Sequence, residues 1–233
     1  MRLWQKRINH TESQSVQMKK YQNIFWDWNG TLLDDVDECI EIINASLAKR
    51  QLKLLEPVEY LEKFQFPVKN YYEAIGFDFS KESFEEAGKE FIKAYSHKMF
   101  SCRLHHDAIE VLQLLGQSGA NQFVLSALNE DALNKCIVKF GLQKYFSAVR
   151  GLDDHYAYSK VELGMKMISD LKIPSDSAVL IGDTLHDYEV AQALGIDCIL
   201  VASGHNSRER LSSCNSLVFS SLAELKSQIE KNL

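Results

Sequence analysis

One pattern governs what this chain can fold into: short, unbroken apolar runs rich in β-forming residues, each stopping abruptly at a polar or glycine-containing turn. Asn23-Ile24-Phe25-Trp26 stops at Asp27, Gln122-Phe123-Val124-Leu125 at Ser126, and Ala148-Val149 at Arg150-Gly151. Ala178-Val179-Leu180-Ile181 runs into Gly182-Asp183, and Cys198-Ile199-Leu200-Val201 runs toward Ser203-Gly204-His205. Runs without period-two alternation belong to strands covered on both faces. Helical patterns fill the intervals near 106–118, 129–140, 159–171 and 185–194, and a last run, Leu217-Val218-Phe219, precedes a helix opening with Ser221 and Glu224 at capping-box spacing. This alternation predicts an α/β fold: a three-layer α/β/α core around a parallel, Rossmann-like sheet. Ligands of such sheets collect at the carboxyl ends of the strands, where Asp27, Ser126, Asp183 and His205 fall.

Residues 35–103 break the alternation. They hold long helical patterns, Val36–Arg50 and Lys81–Met99, with little strand signal. The expected organisation is a core of 21–34 and 104–233 with an α-helical cap inserted at 35–103. Residues 1–20 carry five Lys/Arg against one acid and no apolar core of the secretory type, and are read as a surface extension, with a transit peptide as the competing reading.

A formal net charge of −6 argues against a broad basic surface for nucleic acid. It leaves room for an anionic ligand in a cleft where a metal reverses the local sign. Five cysteines, at 39, 102, 136, 198 and 214, form no CxxC pair and fit reduced thiols in a cytoplasmic protein. No apolar run approaches the roughly 18 residues of a membrane span.

Two segments carry most of the chemistry. Asp27-Trp28-Asn29-Gly30-Thr31-Leu32 follows a buried strand, so a carboxylate able to accept a phosphoryl group stands at the strand's end. Gly30 lets the chain turn away, and Thr31 can donate to phosphate oxygens. The plainer reading is an Asn-Gly turn. Gly182-Asp183-Thr184-Leu185-His186-Asp187 also follows a buried strand and brings two carboxylates to one edge, suited to Mg²⁺, which takes oxygen ligands. The plainer reading there is a helix N-cap with an acid in the first turn. Ser126 at a strand end and Lys160 at a helix start complete the set, each alone an ordinary cap or surface residue.

In order, Asp-x-x-Gly-Thr-Leu, a strand-end Ser, a Lys and Gly-Asp-x-x-x-Asp resemble the four motifs of the haloacid dehalogenase superfamily, and most closely its phosphoglycolate-phosphatase-like members. The resemblance covers about 21–231. It implies Asp27 as nucleophile and metal ligand, the Asn29 backbone carbonyl as a further ligand, Asp183 and Asp187 holding Mg²⁺, and Thr31, Ser126 and Lys160 on the phosphoryl oxygens. It implies hydrolysis of a small phosphorylated metabolite through an aspartyl-phosphate.

Position 29 departs from the pattern. The family usually has Asp there, which protonates the leaving oxygen and then activates water; an amide cannot exchange a proton in this way. Three explanations stay open: a substrate with a good leaving group, a histidine such as His205 taking over, or slow hydrolysis by a protein that mainly binds or transfers phosphate. A phosphotransferase or phosphomutase and a phosphometabolite-binding protein are therefore the rival readings. Phe66, Lys69, Tyr71 and His205 are the candidate specificity residues, the first three from the aromatic break between cap helices at 64–72. The expected assembly is a monomer or homodimer.

Overall fold

The computed structural model describes residues 19–152 and 159–232. Most of the expected N-terminal extension, residues 1–18, lies outside the described residues. The elements in chain order are β1 (Asn23–Trp26), β2 (Leu33–Asp34), α1 (Val36–Lys49), α2 (Pro57–Lys63), α3 (Val68–Ala74), α4 (Phe84–Lys98), β3 (Arg103–Leu104), α5 (Ala108–Gln117) and β4 (Asn121–Asn129). There follow α6 (Glu130–Lys139), β5 (Ala148–Leu152), α7 (Lys160–Asp170), β6 (Ala178–Gly182), α8 (Leu185–Leu194), β7 (Asp197–Val201), α9 (Arg208–Leu211), β8 (Leu217–Phe219) and α10 (Leu222–Glu230).

Six strands form one sheet in the order β5-β4-β1-β6-β7-β8, and every neighbouring pair is parallel. Successive side chains of β1 point to opposite faces. Phe25 joins Phe123, Leu180, Met167 of α7 and Val190 of α8 on one side. Ile24 and Trp26 join Val124, Ile181, Leu112 of α5, Ile137 of α6 and Leu225 of α10 on the other. Both faces are thus dry, which is why the strands read as continuous apolar runs. From β1 the chain builds outward through β4 and β5, then returns to the other side of β1 for β6, β7 and β8. The carboxyl ends of β1, β4 and β6 flank that switch point, the usual ligand crevice of such a sheet.

Helices α1 to α4 lie between the strands of a small antiparallel ribbon, β2 with β3. This ribbon is not legible in the sequence, because two residues a side are too few to show periodicity. The aromatic break expected over 64–72 is shorter than that. Only Phe64 to Pro67 is non-helical, and Val68 starts α3, whose Tyr71 and Tyr72 are buried. Pro67 suits this place, since a proline can precede the first helical turn without losing a needed N–H.

Candidate active site

Asp27 leaves β1 with its N–H still bonded to the Ile181 carbonyl, at 2.9 Å, so the sheet fixes its backbone. Lys160 opens α7 behind an N-cap Ser159 whose reciprocal capping box with Glu162 is complete. Its Nζ lies 2.5 Å from Asp27 Oδ1 and 2.5 Å from Asp187 Oδ1. Thr184, rather than Asp183, caps α8, and Asp187 is its capping-box partner. The Asp187 carboxylate accepts from Thr184 Oγ1 at 2.6 Å and from the Thr184 and Asp183 amides at 3.0 and 3.2 Å. Asp183 accepts from Thr31 Oγ1 at 2.7 Å and from the His205 amide at 2.6 Å.

Burial and crowding set the charges. Burial pushes the Asp27 carboxyl up to about 6, with Lys160 opposing and Asp187 adding to the rise. Burial also drives Asp183 up, to about 8, aided by Asp187 and Asp27 and opposed by His205. Asp187 is the exception: the penalty of burial is overcome by Lys160 and Thr184, and its carboxyl sits below the usual range. Burial would lower the Lys160 ammonium, but the two carboxylates beside it raise it instead.

The Asp27, Asp183 and Asp187 oxygens come within 4.8 Å of one another, all three residues buried. Three carboxylates against one ammonium leave a deficit of positive charge, and all-oxygen donors suit a hard divalent cation such as Mg²⁺. The surrounding backbone keeps room for these carboxylates. Gly30 has φ +73°, and a Cβ there would collide with the Asp183 carboxylate and the His205 ring. A Cβ on Gly204 would strike the same carboxylate.

A second network lies beneath the inserted helices. Asp35 stands at the N-cap position of α1 but makes no side-chain cap. Its carboxylate, fully buried, accepts from the Gly30 amide at 2.8 Å, from Asn29 Nδ2 at 2.8 Å and from the Tyr95 hydroxyl at 2.5 Å. His205 Nε2 stands 3.3 Å from Asp35 Oδ1, and its Nδ1 is 2.8 Å from the Tyr60 hydroxyl. Burial opposes the charged imidazole, yet Asp35 and Asp183 outweigh it and raise His205 to about 9. Asp35, in turn, is held low against the cost of burial by His205, Tyr95 and Asn29. Asn206 and Arg210 extend the contact: Asn206 Nδ2 donates to the Phe64 carbonyl at 3.0 Å, and Arg210 Nη1 to the Leu61 and Phe64 carbonyls at 2.9 and 2.6 Å.

The structure therefore brings Asp27, Thr31, Lys160, Asp183 and Asp187 together. Ser126 is buried at the same edge, but β4 does not end there. Its regular pairing with β5 stops at Leu125 and resumes at Asn129, and within that interruption Ser126 Oγ accepts from the Leu128 amide at 3.1 Å. Asn29 turns its amide to Asp35 and Tyr95. Phe66 stacks on His186 at 4.4 Å, and Tyr71 packs edge-on against Tyr60 and Phe64. Lys69 is exposed on α3, 5.8 Å from the Phe79 ring centroid. Asp35, Tyr60 and Tyr95 were missed by sequence reasoning. Asp35 reads as an ordinary helix cap, and the tyrosines read as apolar positions of cap helices.

The family model of haloacid dehalogenase-like hydrolases matches residues 24–201, and the chain belongs to that family. A 5'-nucleotidase of Pseudomonas aeruginosa is 25% identical over 201 residues, 82% of this chain and 87% of the relative. A phosphoglycolate phosphatase of Pseudomonas savastanoi pv. phaseolicola is 23% identical over 193 residues, 78% of this chain and 70% of the relative. The crystal structure of a "predicted phosphatase" from Clostridium acetobutylicum superposes with a TM-score of 0.77 at 22% identity, covering 91% of this chain and all (100%) of that one.

Proposed function

We propose that this protein is a phosphatase that removes the phosphoryl group from a small organic phosphate monoester through an aspartyl-phosphate on Asp27. The observation that carries the reading is the buried cluster itself: Asp27 at the end of the central strand, with Lys160 against it and Asp183 and Asp187 alongside. Asp183, Asp187, Asp27 and the Asn29 carbonyl are the residues to hold Mg²⁺. When bound, the cation neutralises charge between the attacking carboxylate and the phosphoryl oxygens.

Lys160, pinned by two carboxylates, keeps its proton and holds a phosphoryl oxygen as charge develops on it. Thr31 and Ser126 supply hydroxyl donors to the other oxygens, Thr31 by leaving Asp183 and Ser126 by its free O–H. The sheet holds the Asp27 backbone, so its carboxylate meets phosphorus in a fixed approach. The helical insertion at 35–103 acts as a cap. Its contacts through Tyr60, Leu61 and Phe64 to His205, Asn206 and Arg210 support a closed position, which would exclude water. Phe66, stacked on His186, is the cap residue best set to touch the substrate's non-phosphate part. Lys69 and Tyr71 are weaker candidates, one exposed over Phe79 and the other committed to the cap's own packing. The names of the nucleotidase and phosphoglycolate phosphatase relatives support phosphate release from a small metabolite. No described helix is long and apolar enough to cross a membrane, and five free cysteines suit a reducing, cytoplasmic setting.

The test is phosphate release across phosphoglycolate, sugar phosphates, nucleotides and acyl phosphates, with and without Mg²⁺, and with Asp27→Asn as the blank. Mg²⁺-dependent release that the blank abolishes is the expected result. Mg²⁺-dependent binding without release from any substrate refutes it. The Asn29 amide also favours one second reading: with no carboxyl there to activate water, the phosphoryl group passes to another acceptor. Label appearing on a second sugar instead of as free phosphate identifies that case.

A further inference from the structure

The groups around Asp27 narrow the substrate class, provided that the phosphatase reading above is right. Phosphoryl transfer to Asp27 breaks the bond to the leaving oxygen, which needs either a proton or the ability to depart as an anion. Among the described side chains bonded together at this site, none is an acid left free for the leaving oxygen, and the Asp183 carboxyl is one of those set to hold Mg²⁺. The Asn29 amide carries no exchangeable acidic proton and donates to Asp35 and Tyr95. The Lys160 ammonium keeps its proton between Asp27 and Asp187. In His205, Nε2 faces Asp35, Nδ1 faces the Tyr60 hydroxyl, and the ring is packed against Tyr60 and Phe64 with 4% of the residue exposed. The Tyr60 and Tyr95 hydroxyls are driven far above the phenol range by burial. Tyr95 in addition gives its proton to Asp35.

We propose that this site acts on phosphates of acidic hydroxyl groups, namely acyl, enol and aryl phosphates, in preference to alkyl phosphates. In the first step an Asp27 carboxylate oxygen forms the bond to phosphorus. The bond to the leaving oxygen breaks, and the leaving group keeps the electron pair and departs as a carboxylate, enolate or phenolate. In the second, a water oxygen bonds to phosphorus and the bond to Asp27 breaks, restoring the carboxylate. The water's protons go to the phosphate product and to solvent. Carboxylic acids near pKa ~4 and phenols near ~10 leave readily as anions; alcohols, with values close to the ~15.7 of water, do not. The missing acid is worth about 10²–10⁴-fold, the usual contribution of a positioned proton donor.

The experiment measures single-turnover release of the leaving group and formation of the Asp27 adduct, using acetyl phosphate, nitrophenyl phosphate, phenyl phosphate and glycerol phosphate. Wild type, Asn29→Asp and His186→Gln are compared. Wild type is expected to process acetyl and nitrophenyl phosphates at least about 10²-fold faster than glycerol phosphate. Asn29→Asp is expected to raise the glycerol phosphate rate by about 10²–10⁴-fold and to leave acetyl phosphate within a few-fold. Wild-type rates that ignore the leaving group overturn the proposal, as does Asn29→Asp acting equally on both classes. His186 contacts Glu189 through Nδ1 at 3.4 Å, leaving its other ring nitrogen to serve. A loss in His186→Gln confined to glycerol phosphate would show that this imidazole supplies the proton, and would also overturn it. An Asp27 adduct without leaving-group dependence sinks this inference alone. No adduct with any of the four compounds sinks the phosphatase reading with it.

Discussion

Removing the metal should make the protein lose stability as pH rises from about 5 to 8, and Mg²⁺ should abolish that loss. Asp183 and Asp27 are raised by burial, to about 8 and about 6, whereas an unfolded aspartate titrates near ~3.9. Through this window the folded chain therefore holds protons that the unfolded chain has already released. Stability falls with pH wherever the native state binds more protons. His205, raised to about 9 against an unfolded value near ~6.5, acts with the same sign above pH ~6.5. Asp35 and Asp187 are held low and ionised in both states here; their stabilisation is lost only in acid, as pH falls through their folded values. Asp183 alone, one proton over three pH units at about 1.4 kcal/mol each, gives a loss of about 4 kcal/mol, and Asp27 and His205 add to it. Urea unfolding at fixed ionic strength, in chelator and in Mg²⁺, reads this directly. A flat or rising profile in chelator, or an equal slope in Mg²⁺, would refute the electrostatic account of the cluster.

Gly30→Ala combines a left-handed backbone position with a Cβ driven into Asp183 and His205. It should cost about 2–4 kcal/mol, seen as a fall in Tm of about 2–4 °C per kcal/mol; a shift under 2 °C would contradict the clash. Tyr95→Phe removes a hydroxyl donor from buried Asp35 and should cost about 1.5–3 kcal/mol in urea unfolding. Arg210→Ala releases the Leu61 carbonyl and leaves the Phe64 carbonyl to Asn206 alone. Hydrogen exchange should speed up in α2 and the following loop while the sheet amides are unchanged; uniform speeding would point to global destabilisation instead.

Much of this was legible in the sequence because it is local. Each core strand is a continuous apolar run, and a carboxylate immediately after such a run, as at Asp27 and Asp183, cannot be explained by packing. Lys160 gained meaning from its place in the series, and the structure adds why: it bridges Asp27 at the end of β1 and Asp187 in the first turn of α8. Asp35 was illegible because the acid before α1 looks like any helix cap. Its partners Tyr95 and His205 come from distant parts of the chain, and only the tertiary fold assembles them. The interruption of β4 at Ser126, within which its Oγ accepts from the Leu128 amide, was illegible as well.

In the proposed reaction Asp27 is phosphorylated in each cycle. Rapid acid quench during turnover of acetyl phosphate with Mg²⁺, followed by peptide mass spectrometry, tests it most directly. The account predicts one added phosphoryl group on the peptide containing Asp27, absent from Asp27→Asn. Phosphate released at full rate with that peptide never modified would contradict it.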